Sequence, residues 1–92
     1  MEKELVNHPM HYNKEGRKEC IDEMQDIFGT EFTIIWAIMT AYKYRYRIGE
    51  KDDVEQERGK ICWYEDWAKE HIKPHHCIAN EIKHMYLGVV KE

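Results

Sequence analysis

The densest chemistry in this 92-residue chain lies in the stretch YKYRYRIG, where Lys43, Arg45 and Arg47 alternate with Tyr42, Tyr44 and Tyr46. Lys43 and Arg47 stand four residues apart, one turn if the stretch is helical, so their cationic heads reach the same region. A phosphate group held there would meet a guanidinium fork and an ammonium point charge. Lys51 lies just beyond. Tyr44 and Tyr46 add rings on which a base can stack, or hydroxyls that bond its edge. The alternative is that the three cations complement the negative end of their helix and pair with the acidic residues that follow. Each such contact contributes about 0.3–1 kcal/mol.

Three other constellations invite chemistry. In NHPMHY, Asn7, His8, His11 and Tyr12 flank Pro9 and Met10. They either present imidazole edges and hydroxyls to a ligand, or form a structural loop in which Asn7 or His8 caps a helix and Tyr12 packs. Asp52, Asp53, Glu55 and Glu57 either hold magnesium with a nucleotide phosphate or form the acidic first turn of a helix. His71, His75, His76 and Cys77 carry zinc-type donors. Pro74 breaks their register and no second ligand pair stands at zinc-module spacing, so a surface turn is expected instead. Neither metal nor cofactor is expected, with magnesium reserved for an enzymatic alternative. Phosphate-cradling glycine loops and a nucleophile elbow are missing from the sequence, and enzyme activity is the weaker expectation.

These groups need elements to position them. Residues 1–17 are rich in turn formers and read as an ordered loop or arm. In 18–28, Cys20 or Ile21, Met24, Ile27 and Phe28 recur at helical spacing and Gly29 stops a short amphipathic helix. Thr30 is the expected N-cap of a second helix, with Glu31 in its first turn and Gly49 at its close. That helix would place Trp36, Met39, Thr40, Lys43 and Arg47 on one side, buried at its start and cationic at its end. The acidic run opens a third helix that reaches about residue 72 before Pro74. Val54, Ile61, Tyr64, Ala68 and Ile72 mark its inner face. Trp63 and Trp67 form an aromatic pair, and Trp63 and Tyr64 are expected in the core or an oligomer interface. A fourth helix covers 77–87, with Gly88 ending it and residues 89–92 fraying. The expected fold is all-α: one domain over 1–92, a bundle of three to four helices with its helical core at 18–88.

Composition bounds the partners. A net charge of −4 with only local basic residues disfavours an extended nucleic acid and suits a small anion. Cys20, Cys62 and Cys77 are odd in number and lack any C-x-x-C pair, which fits a reducing compartment. The start lacks an apolar signal region and the longest apolar run, 34–39, is too short to span a bilayer. A cytoplasmic location without membrane association is expected. So small a chain gains from oligomerisation, which is how a few helices make a deep pocket.

Asn7-His8-Pro9-x-His11-Tyr12, Ala41-x-Lys43-Tyr44-x-x-Arg47-x-Gly49-x-Lys51 and Lys60-x-x-Trp63-Tyr64, with an acidic-apolar stretch at 19–21, resemble a small phage protein family. Its members share an NHPxHY start, an NAIKYLWRAGRK-like centre and a KKAxWYL-like end, and the resemblance runs from about residue 6 to residue 67. Met39-Thr40 stands where relatives carry Gly-Asn, and Glu57-Arg58 where they carry Asp-Leu. The family is largely catalogued as of unknown function. The same module occurs in a coliphage nucleotide kinase that lacks a P-loop, so the resemblance implies nucleotide handling. It implies a ligand site of Asn7, His8, His11, Tyr12, Thr40, Lys43, Tyr44, Arg47 and Lys51. The expected function is a phage homo-oligomer that sequesters a small nucleotide or cyclic nucleotide signal in the infected bacterial cell, countering host defence. One alternative is a kinase-like or pyrophosphohydrolase-like enzyme, or enzyme subunit, of phage deoxynucleotide metabolism. The other is a host-protein-binding module built on Trp63, Trp67 and Tyr86.

Overall fold

The computed structural model describes residues 19–50 and 53–90. Four helices occur in them: α1 (Cys20–Phe28), α2 (Thr30–Tyr46), α3 (Val54–His71) and α4 (Cys77–Val90). Among the described residues there is no strand, so the fold is all-α as expected.

Helix α2 is the hub, because α1, α3 and α4 each pack against it. The reason lies in its composition. Thr33, Ile34, Ala37, Ile38 and Ala41 are all buried on it, and the two alanines let neighbouring backbones come close where larger side chains would hold them off. Ile61 and Ala68 of α3 and Ala79 and Tyr86 of α4 complete the cluster, with Ile35, Tyr64, Trp67 and Ile82 half-buried around it. The expected inward side of α2 is therefore corrected. Trp36 and Met39 lie on the exposed surface of the protomer, while 33, 34, 37, 38 and 41 face the core.

The helix ends also differ from expectation. Thr30 is the first helical residue rather than the cap, and Gly29 takes the cap position at φ +94° and ψ 156°, a conformation open essentially to glycine alone. Thr33 Oγ1 then bonds the Gly29 carbonyl at 2.8 Å. Helix α2 gives way at Arg47, ahead of Gly49, whose φ of +87° turns the chain back towards α3. Asp53 holds the N-cap position of α3 without a side-chain capping bond. Gly88 does not end α4, which continues to Val90. Val54, Ile27 and Phe28, expected on inner faces, are exposed.

Glu31 acts across the fold. Its Oε2 accepts the Ala79 backbone N–H at 3.0 Å, so a carboxylate on α2 caps the positive end of α4. The turn around Pro74 is equally well tied. His76 is buried and its Nδ1 accepts the Lys73 N–H at 3.0 Å, while Asn80 Nδ2 donates to the Lys73 and His76 carbonyls at 2.9 and 2.8 Å. Lys73, Pro74, His75 and Cys77 are exposed in the expected surface turn, and His76 alone departs from it, buried as an internal brace. His71 Nδ1 lies 2.8 Å from the Trp67 carbonyl, and its ring stacks on that indole at 3.9 Å.

Candidate functional site

Tyr44, near the end of α2, organises the site. Its ring lies nearly parallel to that of Tyr64 on α3, with centroids 6.0 Å apart and planes at 16°. Tyr64 in turn meets Trp36 and Trp63 edge to face, at 5.5 and 5.0 Å. This aromatic seam joins α2 to α3 and holds the Tyr44 ring near the end of α2.

Three cations surround that ring. Lys43 Nζ stands 5.2 Å from its centroid, Arg47 Cζ 5.3 Å and Lys60 Nζ 5.3 Å. Attraction to the ring face contributes about 0.5–1 kcal/mol per cation at an exposed site, while three like charges gathered about one ring repel each other. Among the described residues neither Lys43 nor Arg47 forms an ion pair. Arg47 Nε is moreover buried without a hydrogen-bond partner. The result is a locus of positive charge with an unfilled donor, which is what an anionic group needs.

Burial raises the Tyr64 phenol above its ordinary pKa, and the neighbouring Tyr44 and Cys20 add to the effect. The phenol accordingly stays neutral at neutral pH. Glu57, one turn before Lys60 on α3, is 0% exposed, and neither of its carboxylate oxygens has a hydrogen-bond partner.

Arg45 belongs elsewhere. Its Nη2 donates to Glu65 Oε2 at 2.8 Å and its Nε to the Tyr86 hydroxyl at 2.8 Å, while that hydroxyl donates to the same Glu65 oxygen. The bonds to Glu65 and Tyr86 hold the guanidinium protonated well above the usual arginine range. Arg45 pairs in the middle of α3 rather than with its acidic opening, as the charge-complementation alternative required.

Of the residues expected to bind ligand, Lys43, Tyr44 and Arg47 converge. Thr40 is half-buried on α2, one turn before Tyr44. Asn7, His8, His11, Tyr12 and Lys51 lie outside the described residues. The expected set omitted Lys60, Tyr64 and Glu57. Lys60 and Tyr64 are signalled by their spacing in Lys60-x-x-Trp63-Tyr64, and Glu57 by its place among the magnesium candidates and at the Glu57-Arg58 position where relatives carry Asp-Leu. Among the described residues no group of three or more His, Cys, Asp or Glu is placed to hold a metal ion. No helix among them is long and apolar enough to cross a membrane.

No curated protein and no solved structure matches this chain. A family model does match, over residues 6–66, and that segment contains every member of the Tyr44 cluster. The chain therefore belongs to DUF3310, a family of proteins of unknown function.

Proposed function

We propose that this is a phage nucleotide-binding protein, a homo-oligomer that sequesters a small nucleotide or cyclic nucleotide signal in the cytoplasm of the infected bacterium and thereby blunts a host defence. The observation that carries the reading is the gathering of Lys43, Arg47 and Lys60 within 5.2–5.3 Å of one half-buried ring. A nucleotide meets both halves of that arrangement, its phosphate through the cations and its base through the aromatic seam. The motif resemblance to phage proteins, one of them a module in a nucleotide kinase, supports the setting. Holding a ligand unchanged requires no nucleophile, general base or metal, so the binding groups suffice.

The test is incubation of the purified protein with mono-, di- and cyclic nucleotides, with and without magnesium, following the melting temperature and the chemical fate of each ligand. A nucleotide that raises the melting temperature and is recovered intact after denaturation is the expected result. Conversion to product would replace sequestration with the enzymatic alternative. The absence of any shift would leave the protein-binding alternative.

A further inference from the structure

We infer that Glu57 reads the non-phosphate end of the ligand, accepting two adjacent donors from it. This inference rests on the nucleotide-binding reading of the Tyr44 cluster. Glu57 is 0% exposed and both of its oxygens lack hydrogen-bond partners. A carboxylate taken out of water with neither oxygen satisfied is costly, and such groups are ordinarily bonded by protein or ligand.

Its place on the helix ties it to the cation cluster. Glu57 and Lys60 are three residues apart on α3 and so are neighbours on one side of it. Lys60 Nζ and the Arg47 guanidinium both stand 5.3 Å from the Tyr44 ring. Three cations thus stand about the Tyr44 ring, and an unsatisfied acceptor pair lies one helical turn before one of them, Lys60, on α3. Phosphate is repelled by the carboxylate, so inorganic phosphate fits only the cationic end.

A nucleotide fits both ends when it offers two neighbouring donors. Two parts of a nucleotide do so: the N1–H and N2–H of guanine, and the 2′ and 3′ hydroxyls of ribose. Adenine and hypoxanthine lack the first pair, and deoxyribose lacks the second. Either pair would meet the two carboxylate oxygens in charge-assisted hydrogen bonds.

Binding of GMP, dGMP, IMP, AMP and inorganic pyrophosphate to the wild type and to Glu57→Gln, measured by calorimetry, decides the matter. If the guanine edge is read, GMP and dGMP bind alike, and IMP and AMP bind about 10- to 100-fold more weakly. If the ribose hydroxyls are read, GMP and AMP bind alike and dGMP falls behind by a similar factor. In both cases Glu57→Gln abolishes the discrimination while pyrophosphate affinity persists. The inference is overturned if the wild type does not discriminate among these nucleotides, or if Glu57→Gln keeps the wild-type pattern. Loss of the underlying binding reading looks different, because pyrophosphate and every nucleotide then fail together. Should Glu57→Gln not fold, the wild-type pattern decides alone.

Discussion

At the scale of single residues, the cations around Tyr44 make separable predictions. Lys43 is exposed and outside any described ion pair, so Lys43→Ala should leave the melting temperature nearly unchanged. Its effect should fall on ligand: removing one charged contact to phosphate weakens nucleotide binding about 10- to 100-fold, read by calorimetry. Arg47→Ala should act in the same direction. An unaltered affinity in both variants would place the ligand elsewhere. Lys43 and Arg47 were legible in the sequence because four-residue spacing on a helix puts side chains together whatever the tertiary fold. The Lys60-x-x-Trp63-Tyr64 spacing and the acidic run flag Lys60 and Glu57 but not their place: Lys60 meets the Tyr44 ring, with Glu57 one turn before it on α3, only after the chain reverses, and the direction of that reversal is a tertiary property.

At the scale of elements, α3 and α4 both pack on α2 without packing backbone to backbone on each other. The Arg45, Glu65 and Tyr86 side chains bridge the three helices instead. Tyr86→Phe leaves the Glu65 and Arg45 bonds one partner short and should cost roughly 1–2 kcal/mol in a urea titration. The same phenol sets a pH dependence. Burial, followed by its bond to Glu65, pushes the Tyr86 pKa up to about 12 from 10.0. The folded state thus keeps a proton that the unfolded chain releases, and stability falls as pH rises between those values. The contribution is fully present below pH 10 and amounts to on the order of 2 kcal/mol. Tyr86→Phe should flatten that alkaline decline, and an equal decline in the variant would assign it to other groups. Glu31→Ala removes the cap of α4 and should cost about 1 kcal/mol. The existence of each helix was legible from apolar spacing, but this cap was not, since Glu31 also reads as a dipole partner of its own helix. Gly88 misled for a related reason: glycine is a common stop, yet α4 carries it at about 1 kcal/mol against alanine.

At the scale of the molecule, the Cα atoms fill 37 × 33 × 16 Å, a slab whose thin dimension holds at most two layers of helices. Among the described residues the central helix consequently keeps one side uncovered. Phe32, Met39 and Tyr46 recur there at seven-residue intervals, 63%, 57% and 76% exposed, with Trp36 and Tyr42 beside them. The side of α2 away from the core thus exposes a largely apolar stripe interrupted by Lys43, and a seven-residue repeat is the spacing with which helices pair along their length. These five side chains expose on the order of 600 Å², taking ~150–250 Å² for a whole aromatic ring, against ~800 Å² per subunit in a standard interface. A second copy pairing along α2 would supply the missing cover, consistent with the proposed homo-oligomer. Light scattering should then give a mass at least twice the 11.2 kDa of the chain. Met39→Glu, which sets a charge in the middle of the stripe and away from the protomer core, should return that mass to the monomer value while helicity persists. Lys43 lies one turn from Met39 on the same helix, so ligand binding and self-association should be coupled, with nucleotide shifting the wild type towards the larger species. A wild type that stays at 11.2 kDa at high concentration would instead leave the stripe to a different protein, and the cation cluster would have to act within a single protomer.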